Sequence, residues 1–131
     1  MHRYTKFLLI SVLLSTAASA CAASAVEHPL TAANANQTIE VNVGDTLVVE
    51  LEGNPTTGFT WEAVELDQAV LEQVGEPEFT AQSDLLGAPG VIVLRFKANG
   101  PGQTLLKLVY RRPWEQDVPP EETYEVTIVV K

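Results

Sequence analysis

The chain has 131 residues, with 8 Lys and Arg against 17 Asp and Glu and a formal charge of -9, which is the length of one domain and an acidic one. Nucleic-acid binding draws on clustered basic residues that this balance lacks. A single Cys and two His exclude a disulfide framework and argue against a zinc cage or a hydrolase built on a histidine base, while 46% hydrophobic content suffices for a proper core.

Met1 to Lys6 carries His2, Arg3 and Lys6, Phe7 to Leu14 is broken only by Ser11, and small residues run from Ser15 to Ala20. A basic start, a short apolar run and a small-residue exit predict a secretory signal peptide over residues 1–20, with a transmembrane anchor as the weaker alternative. Its removal leaves six basic residues and His28 as the remaining histidine. Ala18-Ser19-Ala20-Cys21 resembles a bacterial lipobox, in which Cys21 would be lipidated. Ordinary cleavage after Ala20 or after Ala25 is the alternative. Either way the expectation is an exported protein, periplasmic or secreted, meeting a membrane only through a lipid on Cys21.

Residues 26–37 are Ala- and Asn-rich without periodicity and read as a flexible tether, with His28 inert within it. From Thr38 the pattern becomes alternation: Ile39, Val41 and Val43 share one face before a turn at Gly44-Asp45, and Leu47, Val49 and Leu51 share the next. After a break at Gly53 to Gly58, Phe59, Trp61 and Ala63 alternate with polar residues. Asp67 to Val74 reads as a short helical turn or loop, and Glu78 to Ala81 as a short strand. Ile92, Leu94 and Phe96 form another apolar face, Asn99-Gly100-Pro101-Gly102 is a turn, and Leu106, Leu108 and Tyr110 alternate again. Tyr124, Val126, Ile128 and Val130 finish the chain. About seven short strands at this spacing predict an all-β, immunoglobulin-like sandwich over residues 38–131.

Fold alone names no function, so the breaks between strands carry the question. Three are unusual. Asn54-Pro55-Thr56-Thr57-Gly58-Phe59 joins a fixed dihedral and a permissive one around two threonines, although a plain hairpin turn has the same ingredients. Leu86-Gly87-Ala88-Pro89-Gly90 reads as a flexible loop. In Tyr110-Arg111-Arg112-Pro113-Trp114-Glu115 a large ring follows a proline in a polar connection, either exposed as an anchor or folded back on the core.

Together these three breaks resemble the chagasin family of cysteine-peptidase inhibitors, in which an N-P-T-T-G-F loop, a Gly-rich loop and an R-P-W loop stand at one end of an immunoglobulin-like sandwich. The matches are Asn54, Pro55, Thr56, Thr57, Gly58 and Phe59; then Gly87, Ala88, Pro89 and Gly90; then Arg112, Pro113 and Trp114, in the same order. Pro89 departs from the Gly-rich pattern and removes a backbone donor. The resemblance implies a reversible inhibitor, without cofactor or metal, that fills the cleft of a papain-like cysteine protease with its threonine loop. It implies Trp114 as an anchor at one side, Arg112 pairing or stacking on the enzyme, the Gly87–Gly90 loop at the other side, and Phe59 turned back to support the loop base. Trp61 is expected in the core, a monomer is expected, and Arg111 and Arg112 would make the loop end locally less acidic. A generic immunoglobulin-like adhesion or assembly module is the alternative.

Overall fold

The computed structural model describes residues 24–115 and 117–131; the expected signal peptide and Cys21 lie outside them. Among the described residues, nine strands form two facing sheets, an all-β sandwich. They are β1 (Glu27–Leu30), β2 (Thr38–Val41), β3 (Thr46–Gly53), β4 (Thr60–Glu65), β5 (Leu71–Gln73), β6 (Glu78–Ala81), β7 (Gly90–Ala98), β8 (Gly102–Arg111) and β9 (Glu122–Val130). One sheet runs β1-β3-β7-β5, with β6 also on β7; the other runs β2-β9-β8-β4.

The period-two pattern explains the core directly, because alternate side chains fall on the inner face of each sheet. Leu47, Val49, Leu51, Ile92, Leu94 and Phe96 from one sheet meet Leu106, Leu108, Val126 and Ile128 from the other. Trp61 is buried among them as expected, and its indole Nε1 donates to the Glu52 carbonyl at 3.0 Å.

Two more strands are present than the alternation shows. Residues 26–37, expected as a tether, instead contain β1, which pairs in parallel with β3, and a single 3-10 turn, Ala32–Asn34, before β2 joins the opposite sheet beside β9. Thr31 and Asn34 close a capping box on that turn. The Tyr124 hydroxyl donates to the Thr31 carbonyl at 3.0 Å, and burial pushes that phenol up to about 12. β5 emerges from the Asp67–Val74 stretch, where a turn at Asp67 delivers Leu71 to the edge of β7. Val43 falls beyond the end of β2 and is exposed.

Asp45 fastens β1. Its buried carboxylate accepts the Asn42 amide at 3.0 Å, His28 Nε2 at 2.9 Å and the Val26 amide at 3.1 Å, so His28 is engaged in the fold and not inert. The Asn42 amide first, then His28 and the Val26 amide, hold the Asp45 carboxyl down at about 2 against an ordinary 3.8. The unfolded chain therefore takes up this proton at a higher pH than the folded one. The clasp contributes fully above about pH 4 and is lost as pH falls through about 2. In urea denaturation, Asp45→Asn is expected to be less stable than wild type at about pH 6, and that gap is expected to shrink at about pH 2.5.

Register places the three unusual breaks together. Gly53 pairs with Gly90, Ala81 also pairs with Gly90, Thr60 pairs with Arg111, and Tyr110 pairs with Glu122. The connections 54–59, 82–89 and 112–121 therefore all leave from one pole of the sandwich. Glu27, paired with Thr46 at the start of β3, lies toward the opposite pole.

Candidate functional site

The threonine loop is a single capped turn. Asn54 is the N-cap of the 3-10 turn Pro55–Thr57, and its side-chain Oδ1 accepts both the Thr56 amide at 3.2 Å and the Thr56 hydroxyl. The Thr57 hydroxyl donates to the Asn54 carbonyl at 2.6 Å, and the Thr57 amide donates to the same carbonyl at 3.2 Å. Gly58 closes the turn at φ 85, its amide on the Pro55 carbonyl at 2.9 Å. That left-handed conformation is the one glycine adopts without strain. The amides of Thr56, Thr57 and Gly58 are thus all occupied internally, while the two threonine side chains stand exposed.

Below the turn an aromatic column runs into the core. Phe59 packs on Tyr110 with ring centroids 5.2 Å apart, and Tyr110 packs on Trp61 at 5.1 Å. The Tyr110 hydroxyl accepts the Asn54 amide at 2.9 Å. Phe59 therefore does turn inward and support the loop, and Arg112 lies over its outer face with Cζ 4.6 Å from the ring centroid.

The flanking loops touch the first. Asn54 Nδ2 donates to the Gly87 carbonyl at 3.0 Å, and Arg112 Nε donates to the Thr57 carbonyl at 2.9 Å while its Nη1 pairs with Glu115 at 3.1 Å. The Trp114 ring lies against Gly58, so closely that a Cβ added there would collide with its Cη2 atom. The residue is nevertheless 69% exposed.

The pole thus presents an exposed Trp beside a capped threonine turn and a glycine loop, and the family described as chagasin family peptidase inhibitor I42 matches residues 40–128. The chain belongs to the chagasin family. It is 30% identical to chagasin of Trypanosoma cruzi over 113 residues, covering 81% of this chain and 98% of that protein. The crystal structure of the cysteine protease inhibitor EhICP2 from Entamoeba histolytica shares the fold, with a TM-score of 0.68 and 24% identity over 81% of this chain and 96% of that one. So does PbICP-C, solved in complex with falcipain-2, with a TM-score of 0.54 and 21% identity over 80% and 98%. Membership makes the protein a cysteine protease inhibitor and not an enzyme.

Within this chagasin-family fold, the 13 residues singled out from the sequence gather at one pole, with two adjustments. Gly90 is not part of the exposed loop. It is the buried first residue of β7, where a Cβ would run into the Thr80 carbonyl and Ala81. Arg112, expected to reach toward an enzyme, is already bonded to Thr57, Glu115 and the Phe59 ring. Arg111 likewise pairs with Glu62 at 2.9 Å, so both basic groups at this pole are matched by a carboxylate.

Two leucines stand outside the expected site residues, although Leu86 opens the second break. Leu85 and Leu86 project from the tip of the second loop, 78% and fully exposed respectively. The loop is shaped by the Ala88 amide on the Leu85 carbonyl and the Gln82 amide on the Pro89 carbonyl, both at 3.2 Å. Adjacent leucines beside Gly87 were the available signal, since a merely flexible connection has no physical reason to expose them.

Proposed function

We propose that this chagasin-family protein reversibly occludes the cleft of papain-like cysteine proteases with the three loops at one pole. The observation that carries the reading is the coplacement of Thr56-Thr57, Leu85-Leu86 and Trp114 by the strand register. Small polar side chains stand between large apolar ones, and Trp114 is of the side-chain type that most often dominates an interface once buried. With the tip amides and hydroxyl protons used internally, the threonine oxygens are left as acceptors. That suits a catalytic site whose own groups are donors, an oxyanion hole and a histidine N–H. The Thr56-Thr57 bond lies in a tight turn and not in an extended segment, so obstruction without cleavage follows. PbICP-C, of the same fold, is solved bound to falcipain-2, which supports a protease as partner. The module reading leaves the exposed Trp114 and leucines without a role.

Export and a monomeric state belong to the same proposal. An acyl group on Cys21 would precede β1, which enters toward the pole opposite the loops, so an envelope anchor would leave the loops facing outward. Titration of papain with the folded protein tests the main reading. Stoichiometric loss of activity is expected, and full activity at micromolar inhibitor would overturn it. Mass spectrometry of the mature N-terminus separates lipidated from soluble forms.

A further inference from the structure

The geometry points to the three loops acting as one pre-locked unit, with Asn54 and Arg112 as positioning residues that join the threonine turn to its two neighbours. This rests on the inhibitory reading and deepens it. Each side chain bonds to two different segments inside the inhibitor. Asn54 uses Oδ1 to cap the turn and Nδ2 to hold the Gly87 carbonyl. Arg112 uses Nε on the Thr57 carbonyl, Nη1 on Glu115, and its flat face on Phe59. The partners are 33 and 55 residues apart in sequence, so these bonds join segments that the local chain does not hold together.

The physical consequence is a binding surface already in its bound shape. A loop that is competent only part of the time binds more weakly by the fraction of time it is competent, and fixing it recovers that factor. Leu85-Leu86 is the segment with most to lose, because its loop crosses eight residues between Ala81 and Gly90 with few internal bonds. Asn54 ties that loop to the turn at Gly87. Arg112 acts from the other side, holding the carbonyl of the Thr57-Gly58 peptide against which Trp114 rests.

Asn54→Asp separates the two jobs of Asn54. The aspartate keeps an acceptor oxygen for the Thr56 amide, but at neutral pH it turns a carboxylate toward the Gly87 carbonyl. Once protonated, it regains a single donor. The expected result is inhibition of papain about tenfold weaker than wild type at about pH 7, recovering toward wild type as pH falls to about 4, each compared with wild type at the same pH. Amide exchange in the free protein should be faster at Ala88 and unchanged at Leu94. No loss at neutral pH, a loss that persists in acid, or unchanged Ala88 exchange would overturn the strut to Gly87.

Arg112→Lys supplies the second arm, since an ammonium cannot bond Thr57 and Glu115 while stacking on Phe59. It should weaken inhibition about tenfold and speed exchange of the Gly58 amide in the free inhibitor. Weaker inhibition with Gly58 exchange unchanged would place Arg112 on the enzyme instead and overturn its positioning role. Undiminished inhibition would overturn it as well. Wild-type protein that does not inhibit would instead sink the functional reading itself, a result visible before any variant is made.

Discussion

Replacing Trp114 by alanine is expected to weaken inhibition of papain by about 30-fold or more while leaving the folded domain intact. The size follows from the role of the ring: a large aromatic side chain that becomes buried at an interface commonly contributes about 2 kcal/mol or more. The selectivity follows from its position. Trp114 is 69% exposed in the free protein, with one edge of its ring resting on Gly58. Truncation therefore removes little packing that holds the sandwich together, and the melting temperature should move by no more than a degree or two. Inhibition constants and thermal melts of the same preparation check both halves. A melting shift large enough to account for the lost inhibition would mean that the ring is part of the core after all.

The second large effect is expected at Gly58. Alanine there must hold the positive φ of 85, which costs about 1–2 kcal/mol for a residue with a Cβ. That Cβ also points into Trp114. The strain can be relieved by opening the turn, which breaks the Gly58 amide bond to Pro55, or by displacing the ring, which moves the anchor. Both routes disturb two of the three loops together, so Gly58→Ala should cost inhibition about 100-fold, more than Trp114→Ala, with melting lowered by a few degrees. Gly75→Ala, also at positive φ but with open space around it, is the control: stability falls there and inhibition holds.

The strands that were legible from sequence are those in which alternation decides burial. β3, β7, β8 and β9 each place an unbroken series of apolar residues on the inner face, and the partner sheet accepts that pattern without modification. β1 was hidden because Glu27-His28-Pro29-Leu30 buries only Leu30. Its extended form is imposed from outside, by pairing with β3 and by the Asp45 clasp. β5 was hidden for the opposite reason: Val70 and Leu71 are adjacent buried residues at a strand entry, and with Val74 they imitate helical spacing.

At the loop pole, Pro55, Gly58, Pro113 and Trp114 could be read in advance because each has a conformational or chemical oddity visible in one dimension. The internal partners of Arg112 could not, since a guanidinium in a loop looks free until the topology brings Thr57 and Phe59 beneath it. The same holds for Asn54 and Gly87, which no local pattern connects. Leu85 and Leu86 adjoin a Gly- and Pro-containing stretch whose composition alone reads as a flexible loop and does not mark them as presented side chains.

The central claim is obstruction of the catalytic centre by an uncut chain. Alkylation of papain's active cysteine by iodoacetamide, followed in the presence of a stoichiometric amount of inhibitor, tests it most directly. The expected result is that alkylation is suppressed in step with activity, with full-length inhibitor recovered when the complex is dissociated. Alkylation at the free-enzyme rate while peptide hydrolysis is blocked, or recovery of a chain cut between Thr56 and Thr57, would contradict the account.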